Sequence, residues 1–446
     1  MRFIFNFLLT GLLLAQSEDA TLTIYKDGTA LVKQPVGWDI PSGPSYVTWS
    51  ALPNGIHRDT PFLNLAGAII ISQRFNDNIF TGTDYFKKLR GEEIEVKPKD
   101  SKVIKGTLLE ISTGSVTISS DDGILSFNRN ELEYLGSGNG EMDPPTFNPF
   151  LSWDLQSDEE KIVKGELVYK SNNFSWSTVY RLKMLNEEKG ELIAEAVIVN
   201  NSDMEFESAK LQLVEGHLNR PNKKWTRPER MARVAMVADA TAMPMMDEGE
   251  LGDYHIYTLN DIHDLEAKEN LTVRMYGPLD VGYTKTYVFE NHERRQKEEP
   301  LEVRLTMINT ESNGLGISLP GGKVEMYSFT QSGGLEYIGA DDMGQVPKGQ
   351  STKLTSGRAF DVIGKRRVLN YDRQRKSEEA VIEVQVTNAR NENVNVLLIE
   401  HINGDWVIKD ESLNYQKKDA STIHFPISLS AGETKIVYYT YRKEWK

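Results

Sequence analysis

The chain has no cysteine in 446 residues. That excludes disulfides, a thiolate nucleophile, cysteine zinc ligands and a lipid-modified cysteine together. It has no basic excess: 51 Lys and Arg face 65 Asp and Glu, a net charge of −14. A surface of that sign opposes nucleic-acid binding, which needs cations to displace counterions from phosphates, and it opposes docking on anionic lipid. Several catalytic signatures are missing as well. The seven histidines, His57, His217, His255, His263, His292, His401 and His424, form no His-Glu-x-x-His pair. There is no Gly-x-Ser-x-Gly elbow. The glycine-rich "GLGISLPGG" runs into a strand rather than a helix, so it is no phosphate cradle. No cofactor is expected.

Only one long apolar run is present, at the start. "MRFIFNFLLTGLLLAQS" has a basic Arg2, an uncharged run from Phe3 to Leu14, and small residues at Ala15 and Ser17. This is the pattern of a cleaved signal peptide over 1–17, and the run falls short of the ~20 residues that a spanning helix needs. No transmembrane segment is expected after cleavage. An exported chain without disulfides must rely on ordinary cores, and 39% hydrophobic residues supply them. Periplasm or cell surface of a Gram-negative bacterium is the expected setting.

Period-two alternation dominates the rest, the mark of half-buried strands. "TLTIYKDGTALVK" places an Asp27-Gly28 turn between two alternating runs, a strong hairpin signal. Residues 18–75 read as an N-terminal β unit. Residues 84–137 read as a small SH3-like or Sm-like barrel of five short strands. Its eight Lys/Arg against ten Asp/Glu between Asp84 and Leu135 argue against the RNA binding known for Sm-like barrels. A Gly/Asn/Pro-rich stretch gives a linker at 138–157. Residues 158–310 read as a central β-sandwich interrupted by a long Ala/Met-rich loop at 220–253. Residues 311–446 have the strand-and-turn rhythm of an immunoglobulin-like β domain. The expected fold is all-β: a multi-unit β-sandwich protein with an immunoglobulin-like C-terminal domain and an inserted small barrel.

Six segments occur in order: "SWSTVYRLKM", "VIVNNSDMEFESAKLQLVEGHLNR", "YHIYTLNDIHDLEAKENLTV", "LPGGKVEMYSF", "GGLEYIGADDMGQVPKGQSTKLTSGRAFDV" and "VTNARNENVNVLLIEHINGDWVI". Together they resemble the bacterial family bearing domain of unknown function 4139, some members of which are labelled mucoidy-inhibitor-like. The resemblance covers roughly 160–446, and the strands after residue 20 also look like the family's opening. This chain resembles the branch with a small barrel in place of a coiled coil. It departs from the pattern where Trp176 is not followed by the usual proline and where "GQVPKG" lacks a histidine seen in relatives. The resemblance implies an all-β fold and an envelope setting, and no reaction.

Few residues carry chemistry. Glu215 and His217 share a side of the strand end in "VEGH", and His263, Asp264 and Glu266 lie close in sequence but do not converge on a strand. Asp341 and Asp342 are an adjacent carboxylate pair, either a turn or an acid/base site. Met231, Met236, Met243, Met245 and Met246 offer soft thioethers, suited to Cu(I) or to adaptable protein contacts. Trp176 and Tyr180, four apart on one strand face, are core anchors or a sugar-stacking platform. The leading expectation is a non-catalytic envelope protein that binds or scaffolds a protein or glycan partner. The alternatives are a glycan or peptide hydrolase working through carboxylates, and copper handling by the Met-rich loop.

Overall fold

The computed structural model describes residues 20–77, 79–138, 147–216, 246–251, 254–330 and 332–445. These residues are almost entirely β, arranged in five sheets, with one α-helix among them, Gly82–Lys88. The all-β expectation holds. No helix among the described residues is long and apolar enough to cross a membrane.

The seven-stranded sheet is built around the first strand, Thr21–Tyr25. It pairs antiparallel with Thr29–Ile40 across the Asp27-Gly28 turn, and parallel with Phe206–Glu215. Thr29–Ile40 then pairs along its whole length with Lys161–Asn172. Sheet pairing thus crosses the expected boundary between 18–75 and 158–310. The reason is burial. A lone hairpin cannot cover its apolar face, and Leu22, Ile24, Ala30 and Val32 share one core with Leu211, Leu213 and Leu167. Alternation in Phe206–Glu215 is as read: Ala209, Leu211 and Leu213 are buried while Lys210 is exposed.

A five-stranded sheet contributes to the same core. Its order is Glu269–Gly282, Lys189–Asn200, Phe174–Met184, Gly322–Phe329 and Leu335–Met343. The last two strands come from beyond residue 310, so pairing crosses that expected boundary too. A three-stranded sheet joins the core as well, with Phe150–Ser157 between Gly43–Trp49 and Ile69–Asn76. Residues 150–157 fall inside the expected linker 138–157, yet they carry the fully buried Trp153, whose Nε1 donates to Gln73 Oε1 at 2.8 Å.

The insertion has its own core of Ile94, Val96, Leu108, Ile111, Val116 and Ile118, enclosed by five short antiparallel strands between Glu93 and Ser137. The helix Gly82–Lys88 packs beside it through Phe86. Thr81 caps this helix: its Oγ1 accepts from Asp84 N at 3.1 Å and donates to Asp84 Oδ2 at 2.7 Å.

The C-terminal part is a nine-stranded sheet running from Trp406–Lys409 to Gln416–Lys417 in pairing order. It curls until its ends meet, with Lys417 Nζ 4.3 Å from the Trp406 ring centroid and Trp406 Nε1 donating to Ala420 O. Thr284–His292 and Lys297–Ile308, expected in the central unit, belong to this sheet. Its core holds Phe289, Ile382, Val384, Leu398, Phe425 and Tyr439. Gly364 is required there, because a Cβ would stand 2.7 Å from the Phe289 ring.

Residues 246–251, expected within the loop 220–253, form an edge strand paired with Tyr254–Leu265. Met231, Met236, Met243 and Met245 lie outside the described residues, as does His217, and of Met246 only the backbone pairing with Leu259 is described.

One charged pair sits wholly inside the C-terminal core. Arg366 and Glu400 both have 0% side-chain exposure, with Nη2 2.9 Å from Oε2. Arg366 also donates to Arg295 O at 2.7 Å, and Glu400 accepts from Tyr439 Oη at 2.6 Å and Asn291 Nδ2 at 3.1 Å. Burial alone would lower the Arg366 pKa, but the Glu400 carboxylate outweighs it and holds the guanidinium charged. Removing one partner strands a buried charge. We expect Glu400→Ala to lower stability by about 3–5 kcal/mol in urea denaturation, and Glu400→Gln, which keeps an acceptor, to cost less.

Candidate functional site

The strand exit "VEGH" is a structural junction. Glu215 is buried, and its Oε2 meets Lys26 Nζ at 2.5 Å while its Oε1 accepts from Gln345 Nε2 at 2.6 Å. Lys26 also donates to Gly321 O at 2.5 Å and lies 4.6 Å from the Trp176 ring centroid. This one carboxylate therefore ties the first strand, the strand Phe206–Glu215 and the loops around Gly321 and Gln345 together. Gly216 adopts a φ of +141°, and a Cβ would stand 2.3 Å from Tyr254. The chain turns there as only glycine allows.

Trp176 and Tyr180 are core residues, at 3% and 0% exposure. Trp176 Nε1 donates to Val214 O at 3.1 Å, and Tyr180 Oη to Pro320 O at 2.8 Å. Their ring faces are packed, and neither is open to a sugar. Asp341 and Asp342 lie on the strand Leu335–Met343 rather than in a loop. Asp341 Oδ2 accepts the backbone N–H of Thr355 at 2.7 Å, and its Oδ1 accepts that of Asp342. Asp341 thereby clips the edge of the five-stranded sheet to the strand Ser351–Arg373. His263 and Asp264 lie on one strand, where Asp264 Oδ1 accepts from Ser208 N at 2.8 Å.

The histidines that do meet are His292 and His401, stacked at 4.7 Å, with His401 Nε2 2.6 Å from Glu290 Oε1. Among the described residues, no group of three or more His, Asp or Glu side chains is placed to hold a metal ion. His424, on the neighbouring strand Thr422–Leu429, has its pKa lowered by burial and then by Lys418 and Lys353.

A concave feature among the described residues comes from residues that sequence reasoning passed over. A cleft of about 490 Å³ opens where the five-stranded sheet gives way to the nine-stranded one. One wall is the hairpin tip at 185–188, shaped by Asn186, whose Oδ1 accepts from Glu188 N and Lys189 N. Tyr283, the single residue between Glu269–Gly282 and Thr284–His292, donates its N–H to Glu188 O at 2.8 Å. The tip is held by Lys285 Nζ, 2.9 Å from Glu187 Oε2. Thr284, Thr306, Asn313, Asn393 and Asn395 add hydrogen-bonding side chains to the lining.

Tyr287 lines this cleft at 2% exposure, and its hydroxyl is buried without a hydrogen-bond partner. An unpaired buried hydroxyl costs about 1–3 kcal/mol. By contrast the hydroxyls of Tyr169, Tyr180 and Tyr439 all have partners. Lys285 Nζ and the Arg390 guanidinium lie 5.6 and 5.9 Å from the Tyr287 ring centroid.

No protein-family model matches the chain, and neither does any curated protein.

Two outcomes follow from these contacts. Glu215→Ala leaves Lys26 and Gln345 facing each other without their acceptor, and should cost about 1–3 kcal/mol by thermal or urea unfolding. Protonation of His424 is disfavoured by the fold, so its contribution is present above the unfolded pKa of about 6.5 and is lost as pH falls through the lower folded value. The urea midpoint of the wild type should fall on acidification across that range, and His424→Gln should flatten that slope.

Proposed function

We propose that this chain is an exported, non-catalytic binding or scaffolding protein of the cell envelope, engaging a protein or glycan partner at the cleft beside Tyr287. The observation that carries the reading is the cleft itself. It is concave, of the size that holds a small ligand or a protruding side chain, and its wall mixes charged, amide and hydroxyl side chains. The acidic residues that a hydrolase reading would use have other duties. Asp341 bonds the Thr355 backbone and Glu215 bonds Lys26 and Gln345. Export rests on the apolar run before residue 18, and the envelope setting on the resemblance to the family bearing domain of unknown function 4139.

Asn395 lies exposed on the rim, so an arginine there fills the cleft without entering a core. In cross-linked pull-downs from an envelope fraction, Asn395→Arg should cut partner retention by about tenfold, equivalent to about 1.4 kcal/mol. Equal retention by the variant and the wild type would remove the cleft as the contact.

A further inference from the structure

We infer that the ligand of this cleft is an uncharged polyhydroxylated molecule, a short oligosaccharide, held by hydrogen bonds rather than by ring stacking. The inference rests on the cleft being the binding site and names what that site selects.

Charge is the first discriminator. The ionisable lining consists of Glu187 and Glu188 against Lys189 and Lys285, which balance. A phosphate or carboxylate ligand would call for an excess of cations in the wall, and a cationic ligand for an excess of carboxylates. Glu187 already occupies Lys285, and Arg390 approaches the same carboxylate at 3.7 Å.

Aromatic surface is the second. Tyr287 is only 2% exposed, with Lys285 and Arg390 both within 6 Å of its ring centroid, so a nucleobase or other flat ligand finds no stacking platform there. What remains is hydrogen-bonding capacity of both kinds. Asn393 Oδ1 accepts from Ala431 N at 3.3 Å, and Asn395 Oδ1 accepts from Ser428 Oγ at 3.2 Å. Each asparagine thus keeps its amide N–H groups for another acceptor. Thr284 and Thr306 bring hydroxyls that both donate and accept. A sugar hydroxyl is itself both donor and acceptor, and a mixed, charge-balanced wall pairs it in either sense. A wall of cations or a wall of carboxylates pairs it in one.

The test is titration calorimetry of the purified chain against three panels: neutral oligosaccharides, acidic or sulfated oligosaccharides, and peptides. The expected result is saturable binding of a neutral oligosaccharide. Asn393→Ala with Asn395→Ala should weaken that binding by about tenfold, and Thr284→Val, at an exposed position of the lining, by about fivefold, with both variants still giving a cooperative thermal melt. If only acidic sugars or peptides bind, and the double variant abolishes that binding, the ligand class is overturned while the cleft stands. If a neutral sugar binds equally well to both variants, the cleft is overturned. If no neutral sugar binds, the proposed class is overturned, and retention by Asn395→Arg in the pull-down then decides whether the cleft survives.

Discussion

The ribbon formed by Lys297–Ile308 and Ser351–Arg373 belongs to two cores at once. Leu301 and Val362 pack in the C-terminal core, whereas Leu305, Met307 and Leu354 pack in the first core. Two irregularities in the pairing make this possible, one between Pro300 and Leu301 and one between Val303 and Arg304. A bulge re-aims the side chains that follow it, so one continuous ribbon presents its two ends to different interiors. The cleft lies beside the end of this ribbon, at Thr306 and Ile308. Its walls are therefore fixed by packing on both sides rather than by loop contacts alone.

Polar residues that look chemical in the sequence serve as fasteners where strands end. Asn200 donates to Met204 O and Glu266 O, and accepts from Ser202. Asn309 donates to Ile317 O and Val346 O, and accepts from Gly316 N. Asn388 donates to Glu392 O and Ser430 O, and accepts from Arg390 N. All three are buried and each ties down a loop whose backbone carbonyls would otherwise lack donors. Glu215 and Asp341 do similar work between sheets. An amide or carboxylate at such a position is fully used by the fold, whereas the rim asparagines Asn393 and Asn395 are exposed.

Local pattern explains what the sequence made legible. Period-two alternation located strands throughout, and Asp27-Gly28 located the first hairpin. Pairing partners were not legible, because they join distant segments: Leu22 pairs with Leu211, and Thr178 with Gly322. The strand Phe150–Ser157 was hidden by the Gly/Pro-rich stretch just before it. The helix Gly82–Lys88 did carry a local signal, the Thr81-x-x-Asp84 cap, but seven residues give little helical periodicity to support it. Trp176 and Tyr180 share one strand face, as their spacing shows, but spacing does not say which face is covered. The cleft was the least legible feature. Glu187, Lys285 and Asn395 come from three separated segments, and none of them belongs to a motif.

Charge also separates the cleft from its surroundings. The chain carries a net −14, so its field repels anions at low ionic strength and is screened beyond about 8–10 Å near physiological salt. Within that distance a ligand meets only the local groups, and at the cleft these are Glu187 and Glu188 opposed by Lys189 and Lys285, with the Arg390–Glu392 pair beside them. Neither sign of ligand charge gains from such a wall, and a charged ligand would still have to shed its hydration to enter. For the oligosaccharide proposed above, selection would fall to the geometry of donors and acceptors that the rim asparagines and threonines set.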